Sequence, residues 1–235
     1  MGGPSARRLG IPASPDEARA IQERVAREVD AAPPVTLGGV RSLAGADAAY
    51  SPDGRTVHAA IALFTFPGLD VLERSRVTRE TSYPYLPGFF AFREGPAIIA
   101  AVGALTHRPD LILVDGHGRA HPRRAGIACH VGACLGIPAI GVAKRILVGE
   151  AGEVGEARGS ATPIRDGDEV IGMAVRTRAG SRPVYVSVGY AIGLEDAVEV
   201  VLSASPASRI PVPIGEAHRI AREGLPDPPP AARQS

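Results

Sequence analysis

The chain has 235 residues, 45% of them hydrophobic, and its 26 Lys and Arg against 25 Asp and Glu leave a formal net charge of +1. That is enough apolar material for one substantial core, and no apolar run approaches the ~20 residues that cross a bilayer. A globally basic nucleic-acid surface is excluded, so any such contact must come from local clusters such as Arg119, Arg123 and Arg124.

Residues 1–13 read as a flexible N-terminus without the apolar segment of an export signal, which implies a soluble cytoplasmic protein. Ser14-Pro15-Asp16-Glu17 is a capping box with Pro at the first helical position. Ala18, Ile21, Val25 and Val29 mark the apolar face of the helix that follows, which ends before Pro33-Pro34. Strands are expected near 40–49, 56–66 and 69–80, joined by Ser51-Pro52-Asp53-Gly54 and Pro67-Gly68, an antiparallel meander. The first strand carries Asp47 among small apolar residues, where a buried carboxylate needs a cation, a partner or a proton.

Five of the ten aromatic residues then fall within ten positions: Tyr83, Tyr85, Phe89, Phe90 and Phe92. Pro84, Pro87 and Gly88 bar this stretch from a regular helix or central strand, so it reads as a rigid loop with rings at its tip, followed by Glu94. Rings on a stiff turn can stack on a flat partner or wedge between bases; the alternative is a local apolar mini-core.

A helix is expected from Pro96 to about Thr106. The apolar run 111–114 ends in Asp115-Gly116-His117-Gly118, the pattern of a buried strand whose C-terminal edge is where open α/β sheets place ligands, although Asp-Gly also opens ordinary turns. A helix over about 123–135 and a strand over 138–143 follow, and their alternation implies parallel pairing. His117 and His121 sit among Gly116, Gly118 and Pro122, which disfavour a helical zinc pair; they contact phosphate or order the loop. Cys129 and Cys134 lack C-x-x-C spacing and read as buried thiols.

Lys144 is the single lysine beside 25 arginines. A site that wants a compact point charge rather than a planar fork would select it, unless it is a surface lysine retained by chance. Beyond it come a hairpin at 169–178 and 183–188, helices near 194–203 and 215–223, and a Pro-rich segment. The expected organisation is one domain over 14–224 and a disordered tail over 225–235.

Asp47, Glu94 and Asp115 together would form a cluster of hard oxygen ligands suited to Mg²⁺ or Mn²⁺, a combination that commonly handles phosphates. Three antiparallel strands followed by parallel βα units give a ribonuclease H-like layout, an α/β fold with a mixed sheet flanked by helices. Over residues 15–223 the chain resembles the endonuclease V family. The matching pieces are Gly45-Ala46-Asp47, Pro84-Tyr85-Leu86-Pro87-Gly88 running into Phe92-Arg93-Glu94-Gly95-Pro96, Asp115-Gly116-His117-Gly118 with His121-Pro122-Arg123-Arg124, Ile140 to Lys144, and Arg209-Ile210-Pro211 ahead of His218.

The resemblance implies an endonuclease for DNA containing deaminated purines, chiefly inosine, that cuts one nucleotide 3′ to the lesion and leaves 3′-hydroxyl and 5′-phosphate ends. It implies Mg²⁺ on Asp47, Glu94 and Asp115, with Mn²⁺ as a substitute, His218 near the scissile phosphate or a second metal, and Lys144 at a phosphate or the developing charge. Pro84, Tyr85, Leu86 and Pro87 would form a wedge, backbone groups around Gly88, Gly116 and Leu147 would line a pocket for the displaced base, and His121 would be among the contacts to the nucleic acid. The protein is expected to act as a monomer away from membranes. Inosine-containing RNA as substrate, or a module that binds deaminated bases without cutting, are the competing readings. The chain departs from the family pattern at Tyr190, where His is frequent, and at Val212, Ile214 and Gly215, where an acid, a hydroxyl and a guanidinium are usual.

Overall fold

The computed structural model describes residues 10–81, 83–84 and 86–226; the N-terminal nine residues, Tyr85 and most of the Pro-rich tail lie outside this range. The expected N-cap forms at Ser14, while Glu17 reaches back to the N–H of Ala13 rather than of Ser14. Ser14 is extended and its hydroxyl accepts from the Glu17 N–H at 3.2 Å, while the Glu17 carboxylate accepts from the Ala13 N–H at 2.7 Å. The helix so started, α1 (Pro15–Ala31), buries Ala18, Gln22, Val25 and Val29.

A meander of β1 (Ser42–Tyr50), β2 (Thr56–Thr65) and β3 (Val71–Glu80) follows, both pairs antiparallel. After α2 (Phe90–Gly103) the chain enters β4 (Leu111–Asp115), crosses through α3 (Ile127–Leu135) and returns in β5 (Ala139–Ala143); β4 runs parallel to both β1 and β5. Four further strands, β6 (Glu150–Ala151), β7 (Ala161–Asp166), β8 (Glu169–Val175) and β9 (Val184–Tyr190), extend the sheet, with β9 antiparallel against β5. The order is β3-β2-β1-β4-β5-β9-β8-β7-β6, a nine-stranded mixed sheet that contains the expected ribonuclease H-like layout. The helices α4 (Leu194–Ser203) and α5 (Val212–Ala221) close the chain. No helix of the described residues is long and apolar enough to cross a membrane.

Strand alternation assigns each side chain to a face. Ala44, Ala46, Ile112 and Val114 pack with residues of α2 and α3. Leu43, Leu111 and Leu113 pack with those of α4 on the other side, where α5 also lies. Asp47 and Asp115 continue the second set, and because Ala46 is level with Val114 the two carboxylates leave neighbouring strands one step later, on the same face. Gly45 lets α5 come close: a Cβ there would lie 2.0 Å from the Pro213 carbonyl carbon.

Three expectations need correction. Helix α2 begins at Phe90 rather than Pro96, so Glu94 is a helical residue and Pro96 sits in the helix interior. The aromatic stretch is correspondingly less of a free loop: Tyr83, Phe89 and Phe92 are buried with Ala18 in a small cluster, the mini-core alternative. Burial of these rings offsets the cost, ~3 kcal/mol, of an interior proline. The third helix starts at Ile127, after a glycine-rich loop. Cys129 is a buried thiol, its pKa pushed up to about 12 by burial, whereas Cys134 is only half-buried; neither is in a disulfide.

Candidate active site

A cleft of about 520 Å³ opens at the C-terminal edge of the parallel strands, the usual place for a ligand in an open α/β sheet. Asp47 from β1, Asp115 at the end of β4, Glu94 from the first turns of α2, Lys144 just after β5 and His218 from α5 all line it. Asp47, Asp115 and His218 each present a ligand atom within 4.8 Å of the other two. Glu94 is not one of this close trio, though it is 7% exposed and shares the cleft.

The electrostatics are those of crowded acids. Burial, then the charges of Asp47 and Asp115, push the Glu94 carboxyl well above the ordinary range. Asp115 is likewise raised, by burial first and by Asp47 second, against the opposing pull of Lys144. The Lys144 ammonium donates to the Asp115 carboxylate, and that neighbour outweighs the effect of burial to hold the lysine charged. Nδ1 of His218 lies 2.6 Å from Oδ2 of Asp47, with the imidazole half out in solvent. The buried Tyr50 hydroxyl stays protonated, since burial and the nearby Glu94 carboxylate raise its pKa; it makes no well-formed side-chain hydrogen bond.

Two carboxylates and an imidazole at this spacing, with a third carboxyl destabilised by their charge, fit a hard divalent cation. The donor set suits Mg²⁺ or Mn²⁺ and lacks the thiolates of a structural zinc site.

The rest of the expected site divides. Pro87, Gly88, Gly116, His121 and Leu147 line the same cleft as the acids. Pro84 and Leu86 lie outside that lining, and Tyr85 lies outside the described residues. Leu86, Pro87, Gly88 and Phe89 form a turn closed by the Phe89 N–H on the Leu86 carbonyl at 3.0 Å, with Gly88 at a φ of +77°. Both loop histidines order backbone: Nε2 of His117 meets the Arg145 carbonyl at 2.9 Å and Nε2 of His121 meets that of Gly88 at 3.1 Å. Tyr190 packs beside Val25, Val29 and Cys129 under α1 and is not in the cleft lining.

Phe90, one of the clustered rings, also lines the cleft, as does Gln22, which sequence reasoning missed. Gln22 left a trace, a polar residue on the buried stripe of an otherwise apolar helix face.

A ribonuclease H-like sheet with acids and an imidazole gathered at its strand ends defines a phosphodiester-cleaving hydrolase. The sequence model of the Endonuclease V family matches residues 21–219. The chain belongs to that family and is an endonuclease. The Endonuclease V of Roseiflexus castenholzii is 44% identical over 208 residues, 88% of this chain and 92% of that protein. The crystal structure of the Endonuclease V from Streptomyces avermitilis superposes with a TM-score of 0.86 at 40% identity, covering 91% of this chain and 94% of that one. A variant of the Ciona intestinalis Endonuclease V, crystallised with a 23mer DNA containing an inosine followed by a ribo-adenosine, matches at 25% identity and a TM-score of 0.76, covering 88% and 95%.

Proposed function

We propose that the protein recognises deaminated purines in DNA, chiefly inosine, and hydrolyses the phosphodiester one nucleotide 3′ to the lesion, leaving 3′-hydroxyl and 5′-phosphate ends. The observation that carries this reading is the meeting of Asp47, Asp115 and His218 within 4.8 Å in a cleft also lined by Gly88, Gly116, His121 and Leu147. Chemistry and base recognition share one chamber. Its volume, about 520 Å³, suits an extruded purine with its attached phosphate.

Asp47, Asp115 and His218 would hold Mg²⁺, with Mn²⁺ as a substitute, and Glu94 would complete the set. Such an ion supplies an activated water and charge neutralisation at the scissile phosphate. The chain's own groups do the remainder. Lys144, fixed by Asp115, adds a point charge where the phosphate oxygens gather negative charge. Glu94, whose buried carboxyl resists ionisation beside two other acids, is poised to give or take a proton until a cation settles its charge. Pro87 and Gly88 line the cleft, and on this reading Pro84, Tyr85, Leu86 and Pro87 would fill the gap left by a displaced base. A mispaired inosine costs less to extrude than a matched base, which favours the lesion.

The reading includes a single domain over 14–224 that works as a cytoplasmic monomer. A ribose directly after the inosine in the Ciona complex favours one second reading, cleavage of inosine in RNA or at DNA–RNA junctions. The test is to incubate end-labelled inosine duplexes of DNA and of RNA with the protein in Mg²⁺ and in EDTA, then map the ends. A Mg²⁺-dependent cut one nucleotide beyond inosine in DNA is expected. Cutting of RNA alone would move the assignment to the second reading, and cutting in EDTA would remove the metal.

A further inference from the structure

The carbonyl of Gly88 receives three donors from two different parts of the chain. Nε2 of Gln22, on α1, donates to it at 2.8 Å; Nη2 of Arg123 donates at 2.8 Å; and Nε2 of His121 lies at 3.1 Å. The donors are themselves tied together. Nε of Arg123 donates to Oε1 of Gln22 at 2.5 Å, and the Arg123 guanidinium lies 4.5 Å over the Phe89 ring. The Arg123 backbone N–H donates to Nδ1 of His121 at 3.2 Å, which fixes the tautomer: Nδ1 accepts, so Nε2 carries the hydrogen that reaches Gly88.

This arrangement is costly unless it positions something. Gln22 is 1% exposed, an amide placed on the buried face of α1 where an apolar residue would serve packing. A carbonyl oxygen has two lone pairs, and three donors exhaust them, so Gly88 has no acceptor left for an incoming base. Both ring nitrogens of His121 are also committed. The glycine itself is required, because a Cβ at position 88 would meet Nη2 of Arg123 at 2.9 Å and φ is positive.

On the reading of the cleft as a deaminated-base site, we propose that Gln22 and Arg123 are positioning residues for base selection: with His121 they clamp the Gly88 carbonyl and so fix the turn that forms one wall of the base pocket. Neither touches the acidic trio. Their loss should loosen the wall and weaken the distinction between inosine and ordinary bases, while the metal-binding side chains keep their places. His121 then acts through the backbone of Gly88 rather than by a ring nitrogen on the base.

The test uses the full chain and three variants. Gln22→Met removes both bonds of the amide at similar volume. Gln22→Glu keeps an acceptor for Arg123 but has no donor for Gly88. Arg123→Lys, at a half-exposed position, loses the planar fork without opening the core. Single-turnover cleavage in Mg²⁺ is measured on duplexes with inosine and with guanine at one position, alongside Mn²⁺ affinity by calorimetry without DNA. The inosine-to-guanine rate ratio should fall by about 10-fold or more in Gln22→Glu and Arg123→Lys, with Mn²⁺ affinity within about 2-fold of wild type. Should Gln22→Met or Gln22→Glu fail to fold, Arg123→Lys decides alone. An unchanged ratio in a folded variant, or a loss of Mn²⁺ binding equal to the loss of cleavage, overturns the clamp and leaves the function standing. A wild-type protein that does not cut the inosine strand overturns both.

Discussion

Nδ1 of His218 and Oδ2 of Asp47 lie 2.6 Å apart, joining the last helix to the first strand across 171 residues of sequence. The contact exists because α5 rests directly on the backbone of β1 at Gly45. A site assembled from side chains so distant in the chain is only as accurate as the helix–strand packing beneath it.

That dependence is testable at Gly45. Gly45→Ala forces a methyl into the Pro213 backbone, so α5 must shift and carry His218 away from Asp47. The expected result is a loss of about 1–3 kcal/mol in urea unfolding together with a fall in Mg²⁺-dependent cleavage. Wild-type activity in a folded Gly45→Ala protein would show that the His218 contact is dispensable.

Gly215 provides the opposite case in the same helix. It is exposed in the body of α5, and a Cβ there would meet nothing within 4 Å. Gly215→Ala should stabilise the protein by about 0.5–1 kcal/mol through the reduced entropy of the unfolded chain. A lowered denaturation midpoint would contradict the packing described.

Lys144 should not be replaceable by the residue this chain otherwise prefers. Lys144→Arg keeps the charge but substitutes a planar fork for an ammonium held by Asp115, and Lys144→Ala removes the charge. Cleavage rate constants should drop by about 10²-fold or more for Ala and by a smaller factor for Arg. Full activity in Lys144→Ala would return Lys144 to an ordinary surface role.

His130 makes a prediction about stability rather than chemistry. It is fully buried, both ring nitrogens lack a hydrogen-bond partner, and its ring sits edge-on to Phe92 at 5.1 Å. Burial, with smaller contributions from His121 and Arg24, lowers its pKa from 6.5 to about 3. The unfolded chain therefore takes up this proton first as pH falls, and stability declines from pH 6.5 down to about 3, by roughly 1 kcal/mol per pH unit. Above pH 6.5 the group is neutral in both states and has no effect on the slope. His130→Phe should flatten the pH dependence of the unfolding free energy in that window; an unaltered slope would place the acid sensitivity elsewhere.

Much of this architecture is legible in the sequence where local pattern and tertiary demand agree. The run ending in Asp115 is a buried parallel strand because nothing else satisfies four consecutive apolar residues bounded by turns, and β4 occupies those positions. Likewise α4 spans Leu194–Ser203, as its spacing requires. Strands β6 and β7 are not legible because one has two residues and the other alternates weakly and contains Pro163, so β7 depends on pairing with β8 and β6 on pairing with β7. The start of α2 was hidden because Pro87, Gly88 and Pro96 signal a loop locally, while the energy that extends the helix comes from Phe89 and Phe92 packing against Tyr83 and Ala18.

The site shows the same division. Asp47 and Asp115 announce themselves as acids in apolar strands, and Lys144 by its rarity. His218 has no such local mark, being an exposed helical histidine whose meaning lies in what α5 packs against. Gln22 becomes informative only once Gly88 is seen beside it.

The most direct test of the account is a crystal of the protein grown with Mn²⁺, examined for anomalous scattering. One or more peaks bonded to the carboxylates of Asp47 and Asp115 at about 2.0–2.3 Å, and lost in Asp47→Asn, are the predicted result. An empty cleft at saturating Mn²⁺, or an ion bound away from both aspartates, would contradict it.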